Sequence, residues 1–262
     1  MSAPSFLDLP HRSPKPRTAG VTHVLDQGLG RAQTELVLAP LCRYVDVWKL
    51  GWGTAYVQDD VAAKVALLVA HDTRACTGGT LLEVAWAQGR AEACLDWAEA
   101  AGFDCVEVSD GAVEMPGAEK RRLIARAASR FCVLSEVGSK DPAVVRPPTE
   151  WAEAARADLD AGASWVITEG RASGTTGIYR PDGSVRADVV EATADAVGLD
   201  RLIFEAPRLC QQVWLVRRFG PDVGLGNVAH AEVLALEALR LGLRADTVDL
   251  AARSVPEGGS PA

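Results

Sequence analysis

The residues most able to do chemistry are polar and charged side chains that follow short apolar runs of the sequence. Lys49 stands near the end of the run 44–50, and Gly51-Trp52-Gly53 follow that run directly. The others that end or follow such runs are Asp26, Glu83, Glu107, Ser109, Asp110, Glu136, Lys140, Glu169, Arg171, Glu205 and Asn227. Buried charges must be paired, hydrogen-bonded or bound to metal, so this mixture predicts a site for a metal ion and a small anion.

The carboxylates favour Mg²⁺ over zinc as the metal. Hard oxygen ligands are those that Mg²⁺ prefers, and the six cysteines and four histidines have no zinc-site spacing. The guanidinium of Arg171 is suited to a bidentate contact with a carboxylate or phosphate. The alternative interpretation is an internal ring of salt bridges that binds no ligand.

A regular alternation of strand-like and helix-like segments must position these side chains. The predicted strands are residues 21–27, 44–50, 74–77, 105–109, 131–137, 165–169, 202–206 and 223–225. The predicted helices are residues 32–39, 59–71, 81–101 (broken at Gly89), 117–130, 148–161, 186–197, 209–219 and 230–241. Eight such units predict a single-domain α/β fold, the (β/α)₈ TIM barrel, over residues 21–247.

A barrel of this kind has its active site at the carboxyl ends of the strands. Alternation along a strand puts Val45, Val47 and Lys49 on one face, so Lys49 is predicted to point along the barrel interior. Gly226 and Asn227 are predicted to lie at the start of the last helix, where barrels commonly bind phosphate. A doubly wound open sheet is the structural alternative, but no G-x-G-x-x-G follows the first strand.

Composition argues against several classes of function. A net charge of −8 makes general binding to nucleic acid or anionic membranes unfavourable. The longest apolar runs, such as 65–70, are too short to span a bilayer, and the N-terminus has no signal-type segment. We therefore expect no nucleic-acid or membrane partner. Cysteines in apolar strand-like runs, such as Cys105 and Cys132, predict a reduced, cytoplasmic protein, and barrels of this kind often self-associate, so a homo-oligomer is expected. Residues 1–20 are predicted to form an irregular arm and residues 248–262 a flexible tail.

Eight blocks of the sequence, in order, resemble the phosphosulfolactate synthase family. They are P-R-T-A-G-V-T-H-V-L-D-Q-G, V-D-V-W-K-L-G-W-G-T, G-G-T-L-L-E, E-V-S-D-G, S-E-V-G-S-K, E-G-R-A-S-G, F-E-A-P-R-L-C-Q-Q and L-R-L-G-L-R-A-D-T, spanning residues 16–247. The resemblance implies a (β/α)₈ barrel that adds sulfite to phosphoenolpyruvate with Mg²⁺, giving 2-phospho-3-sulfolactate on the archaeal route to coenzyme M. The family also includes plant heat-stress-associated relatives.

The resemblance also implies roles for individual residues. Lys140 matches the lysine of the family's E-V-G-x-K motif and is predicted to be the general acid, which requires its pKa to be lowered by burial or cationic neighbours. Lys49 and Arg171 are predicted to hold the substrate's carboxylate and phosphate. The predicted metal ligands are Glu136, Glu169, Glu205 and Asp110. The predicted substrate contacts are Asp26, Trp52, Gly78, Gly79, Ser109, Arg208, Gly226 and Asn227.

Four positions depart from the family's usual pattern. They are Gln27 and Ser139 in place of lysine, Ala172 in place of glutamate and Gly224 in place of asparagine. The lost cations are expected to weaken anion binding, with Arg180, Arg186 or Arg208 as compensating cations. The departures leave two alternatives open: a paralogue that adds another nucleophile to an enol phosphate or eliminates from one, and a non-catalytic heat-stress-associated-like barrel.

Overall fold

Eight parallel strands pair in chain order and close into a barrel in the computed structural model, which describes residues 6–141 and 144–253. The strands are β1 (Thr22–Asp26), β2 (Val47–Leu50), β3 (Arg74–Thr77), β4 (Cys105–Val108), β5 (Cys132–Val137), β6 (Trp165–Thr168), β7 (Leu202–Glu205) and β8 (Leu225–Val228). Closure is completed by β8 pairing with β1, where Thr22 is opposite Leu225. The predicted (β/α)₈ barrel is therefore confirmed, and the open-sheet alternative is wrong.

Helices surround the barrel and pack their apolar faces on the outer side of the strands. They are α1 (Arg31–Leu41), α2 (Thr54–Val57), α3 (Val61–Ala70), α4 (Gly79–Ala87), α5 (Ala91–Ala100), α6 (Gly117–Ala128), α7 (Pro148–Asp160), α8 (Ala187–Val197), α9 (Leu209–Phe219), α10 (Val233–Arg240) and α11 (Val248–Ala252). The predicted break at Gly89 is confirmed, and Gly89 has φ +67°. Among the described residues, no helix is long and apolar enough to cross a membrane.

The barrel interior has an apolar layer below and a charged layer above. The apolar layer includes Val47, Cys105, Leu134, Ile167 and Ile203. Each is followed two residues later by a buried charged residue, and these are Lys49, Glu107, Glu136, Glu169 and Glu205. Residues i and i+2 of a strand share a face. The same pattern on five strands therefore places these charged side chains in one ring inside the barrel, at its carboxyl end.

The last strand differs from the prediction, because β8 is Leu225–Val228 and not residues 223–225. Its register is set by both neighbours, which place Leu225 opposite Thr22 and Phe204. Gly226 and Asn227 therefore lie within a strand, and their predicted position at the start of a helix is wrong. Gly224 lies before the strand, at its amino end. A Cβ there would lie 2.2 Å from the Leu202 carbonyl oxygen, which explains why glycine stands at this position.

The two ends of the chain contact the barrel more than predicted. Within the arm, Arg12 Nη1 pairs with Asp222 Oδ1 at 2.7 Å, so contact with the barrel begins well before the first strand. Val248–Ala252 of the predicted tail form a helix, and Asp249 Oδ1 on this helix lies 3.0 Å from Arg217 Nη1. Residues 1–5 of the arm and residues 254–262 of the tail lie outside the described residues.

Candidate active site

A cavity of about 620 Å³ opens at the carboxyl ends of the strands. Its lining includes nine of the predicted site residues: Lys49, Trp52, Gly79, Glu136, Lys140, Glu169, Arg171, Glu205 and Asn227. The prediction that the polar strand ends converge is confirmed, and the roles of the individual residues stay predictions. Ala172 also lines the cavity, and it is the one of the four departing positions that does so among the described residues.

Three residues of the lining hold a left-handed backbone although they are not glycine. The φ angles of Trp52, Arg171 and Asn227 are 53°, 56° and 52°. Such a conformation costs on the order of 1–3 kcal/mol per residue and persists only where the surroundings fix it, most often at functional sites. The cavity wall is therefore built to a specific shape.

Lys49 forms the charged floor of the cavity. Its Nζ atom lies 2.9 Å from Glu107 Oε2 and 3.4 Å from Glu205 Oε1. Burial alone would lower the pKa of Lys49, but Glu107 and Glu205 outweigh it and raise that pKa. Lys49 is therefore positively charged at physiological pH. It pairs with two glutamates and also lines the cavity.

Lys140 lies at the side of the cavity, between two carboxylates. Its Nζ atom is 3.1 Å from Glu83 Oε1 and 3.2 Å from Glu136 Oε1. Burial lowers the pKa of Lys140, yet Glu136 and Glu83 raise it further than burial lowers it. The expected lowering of the Lys140 pKa is therefore wrong for the protein without substrate. Lys140 is therefore protonated before substrate binds, and a cation held at Glu136 would offset the carboxylate that raises this pKa and would make the proton easier to donate.

Glu205 holds backbone rather than presenting free oxygens to a metal ion. Its Oε2 atom accepts hydrogen bonds from the backbone N–H groups of Gly170 and Arg171, both at 2.9 Å. Its Oε1 atom faces Lys49. Asp110, also predicted as a metal ligand, pairs with Lys120 at 3.3 Å and is not part of the cavity lining. These contacts do not support a metal-binding role for either residue.

Glu136 and Glu169 are the carboxyl groups best placed for a cation. The two groups are close enough to share a hydrogen bond, and burial together with Glu136 and Glu205 raises the pKa of Glu169 well above its usual range. Within the described residues, no donor reaches Glu169 Oε2 or Asn227 Oδ1, although both atoms are buried. A proton or a cation between such oxygens offsets their mutual repulsion.

This arrangement fits a cation held by few protein ligands. The described residues contain no group of three or more histidine, cysteine, aspartate or glutamate side chains arranged for a metal ion. Mg²⁺ is usually bound through one or two carboxylates, with water and substrate oxygens completing the shell. The unpartnered oxygens of Glu169 and Asn227 are compatible with that mode of binding.

Asp26 lies on the outer side of the barrel, so its predicted substrate contact is wrong. Its Oδ2 atom pairs with Lys64 Nζ at 2.5 Å and accepts a hydrogen bond from Trp48 Nε1 at 2.8 Å. Its Oδ1 atom accepts bonds from the backbone of Gly28 and Leu29. With every acceptor position used and no exposed surface, Asp26 ties the first strand to the helix layer.

Four further predicted substrate contacts are not part of the cavity lining. Ser109 donates its hydroxyl hydrogen bond to Glu83, and Arg208 is exposed at the start of α9. A Cβ on Gly78 would lie 2.6 Å from Trp52 N, so this glycine supports the turn at Trp52. Gly226 faces the His23 ring from inside β8.

Two carboxylates named at strand ends, but given no role, prove central to the site. Glu107 accepts hydrogen bonds from Lys49 Nζ and from Gly79 N, each at 2.9 Å. Glu83, on α4, contacts Lys140. The position of Glu107 two residues after a buried strand residue could have identified it. Nothing in the sequence indicates that a helical glutamate reaches across to the strand 5 loop.

Comparisons with known proteins agree with this geometry. The (2R)-phospho-3-sulfolactate synthase family matches residues 10–246. The phosphosulfolactate synthase of Methanothermobacter thermautotrophicus is 43% identical over 95% of this chain and 98% of its own length, and that of Bacillus subtilis is 38% identical over 92% and 97%. A solved 3-hexulose-6-phosphate synthase superposes with a TM-score of 0.54 at 17% identity over 84% of this chain and 99% of its own, a likeness of fold alone.

Proposed function

The chain belongs to the (2R)-phospho-3-sulfolactate synthase family, and we propose that it uses Mg²⁺ to add sulfite to phosphoenolpyruvate. The product is 2-phospho-3-sulfolactate. The observation that carries the proposal is the meeting of Lys49, Lys140 and Arg171 with paired glutamates in one cavity. Both substrates are anions, and the reaction builds further negative charge, so the site must supply fixed cations.

The chemistry follows from the placement of these cations. The sulfur lone pair of sulfite forms a bond to the methylene carbon of phosphoenolpyruvate, and the electron pair of the C=C bond moves into the carboxylate. Lys49 and Arg171 stabilise the second negative charge on that carboxylate. Lys140 then donates a proton from Nζ to the carbon bearing phosphate, which returns the electron pair to a C–H bond. Burial of Lys49 strengthens its electrostatic effect.

Glu169, Glu136 and Asn227 would hold the metal ion. Mg²⁺ supplies positive charge at oxygen atoms of the substrate when it is bound. The chain's own contribution is to leave Glu169 Oε2 and Asn227 Oδ1 without a donor among the described residues, on two side chains that line the cavity. Glu136 is oriented by Lys140, which contacts its Oε1 atom.

Turnover is the direct test of the proposal. Purified protein with phosphoenolpyruvate, sulfite and Mg²⁺ is expected to give a new phosphate-ester resonance in ³¹P NMR. The resonance should be absent when any one component is omitted. Folded protein that gives no new resonance with all three present would contradict the proposal.

The metal assignment predicts a specific effect of Glu169→Gln. The Mg²⁺ concentration for half-maximal turnover should rise by about 10- to 100-fold, the loss typical when a metal site loses a contributing group. Direct titration with Mn²⁺, followed by electron paramagnetic resonance, should show the same weakening without reliance on activity. Glu191→Gln, a half-buried glutamate paired with Arg218 on the outer helices, is the matched control. Equal Mn²⁺ affinity in all three proteins would rule out Glu169 as a ligand.

Ala172 favours one second candidate, the addition of another nucleophile to an enol phosphate or elimination from one. A small apolar residue in the cavity lining leaves space and removes a charge where the family usually carries glutamate. Repeating the ³¹P assay with other nucleophiles distinguishes this candidate from sulfite addition. A non-catalytic barrel is disfavoured. Buried charges and strained backbone at the cavity lower the stability of the fold, and without a ligand nothing would offset that loss.

We also expect a cytoplasmic homo-oligomer. Six free thiols suit a reducing compartment. Exposed apolar side chains such as Tyr56 and Val57 on α2 are compatible with contact between copies. Light scattering on the purified protein measures the oligomeric state.

A further inference from the structure

Glu83 is a buried carboxylate that the proposed chemistry does not use. It lies in the middle of α4, it is fully buried, and it is not part of the cavity lining. A buried carboxylate must have its oxygens bonded, because an unpaired one carries a large desolvation cost. Its partners therefore indicate what it does.

Four donors from two segments, the loop of residues 109–113 and Lys140, converge on Glu83. Its Oε2 atom accepts the backbone N–H groups of Ala112 at 2.6 Å and Val113 at 2.9 Å. Its Oε1 atom accepts the hydroxyl of Ser109 and lies 3.1 Å from Lys140 Nζ. Both oxygens are occupied, so Glu83 has no lone pair left for substrate or metal. Its carboxylate is fixed by the loop and by the helix that carries it.

Lys140 needs an external support, because it lies outside any helix or strand. It follows β5 on the segment that leads to α7. Its aliphatic stem packs beside Gly111, where a Cβ would come within 3.0 Å of Lys140 Cγ. Glu83 therefore acts on both ends of the side chain: it bonds the ammonium group directly, and it holds the loop at Ala112 and Val113 that supports the stem.

The other carboxylate at Lys140 makes this support necessary. Glu136 Oε1 lies 3.2 Å from the same Nζ atom and comes from β5 itself. With Glu83 removed, the ammonium group would have Glu136 as its one remaining carboxylate within 4 Å among the described residues. It would move toward that side of the cavity. Glu83 offsets the attraction of Glu136, so Nζ stays between the two carboxylates.

From these contacts we propose that Glu83 is the positioning residue of Lys140, which places the proton donor for transfer to the substrate carbon. The inference rests on the proposed function for the identity of the transfer step. The ion pair and the loop contacts that carry it do not depend on that function.

Glu83→Gln keeps the contact of this side chain with the loop at Ala112 and Val113 but removes its ion pair with Lys140. The amide oxygen can still accept from Ala112 and Val113, and the amide N–H₂ can donate to the Ser109 hydroxyl. The same N–H₂ group repels the Lys140 ammonium. We expect kcat to fall by about 10- to 100-fold with the KM for phosphoenolpyruvate unchanged within about threefold, because a displacement near 1 Å costs on the order of 10²-fold in rate. Glu92→Gln, an exposed glutamate paired with Arg126, is the matched control.

A double-mutant cycle distinguishes positioning from general structural support. Adding Glu83→Gln to Lys140→Ala should lower kcat less than about twofold further, because residues that act as a unit are not additive. A loss equal to that in the wild-type background would overturn the proposal. If Glu83→Gln does not fold, Glu83→Asp keeps the buried charge but withdraws it by one methylene, and the same loss of kcat is expected.

The test of positioning by Glu83 can be distinguished from the test of sulfite addition. Wild-type protein without turnover would count against sulfite addition, and crystal structures of wild type and Glu83→Gln then test the positioning alone. We expect Lys140 Nζ to lie nearer Glu136 in the variant with the 110–113 loop unchanged. An unmoved Lys140 would refute the inference.

Discussion

Replacing Lys140 with alanine is expected to lower kcat by about 10²- to 10⁴-fold, the usual contribution of a general acid. The reason is geometric: Lys140 is protonated, borders the cavity and carries its proton on a side chain held by Glu83 and Glu136. Folding should persist, since Glu83 keeps three other donors. Steady-state kinetics by ³¹P NMR or phosphoenolpyruvate absorbance measures the loss.

Lys140→Arg separates proton transfer from charge. Arginine keeps the positive charge but does not give up its proton in proteins, so kcat should stay low while the KM for phosphoenolpyruvate stays near the wild-type value. Arg122→Ala removes an exposed cation of α6 and serves as the control. Full activity in Lys140→Ala would end the assignment of this residue as the acid.

The sequence predicted the barrel and the charged ring because both depend on local periodicity. An apolar residue followed two positions later by glutamate or lysine recurs on strands such as β2 and β5, and alternation alone places Lys49 and Glu136 inside. The scarcity of lysine is a further signal, which the prediction did not use. The chain has five lysines, none of them fully exposed, and Lys49 and Lys140 are the two that line the cavity.

The site residues that were predicted wrongly depend on strand register and on turns, which the sequence alone does not give. Asp26 follows Leu25, which is opposite Lys49 in the β1–β2 register, so Asp26 must face the opposite side of the sheet. The run T-H-V-L-D alone does not reveal which of its two faces is inside. Glu205 has the same strand position as Glu169, yet the left-handed turn at Arg171 brings two N–H groups to Glu205. Turns of that kind are set by tertiary contacts.

The largest effect on stability is expected from Lys49→Met. Lys49 is nearly buried and is the cation between Glu107 and Glu205. Removing one partner of a buried ion pair leaves uncompensated charge, which costs about 3–5 kcal/mol of unfolding free energy. Urea unfolding measures that loss, and turnover should fall as well because the floor of the cavity loses its positive charge.

The loss in Lys49→Met should depend on pH in a defined direction. Burial already raises the pKa of Glu107 above its usual range, with Lys49 opposing that rise. Without Lys49 the folded-state pKa of Glu107 rises further, so ionised Glu107 destabilises the folded state above the unfolded pKa. As pH falls through the folded pKa, the carboxyl takes up a proton and the penalty shrinks. The variant should therefore be less destabilised at pH 5 than at pH 8.

A second substitution tests whether unpaired charge is the cause. Lys49→Met with Glu107→Gln removes the cation together with its nearer carboxylate, and the neutral amide can still accept the hydrogen bond from Gly79 N. Glu205 Oε1 still loses its cation while Oε2 keeps two backbone donors, so the double variant should recover the part of the stability, and lose the part of the pH dependence, that Glu107 accounts for. Stability in the double variant as low as in Lys49→Met alone would mean that Lys49 supports the barrel by packing. Recovery would mean that the ring of glutamates at the barrel mouth is held together by the cation at its floor.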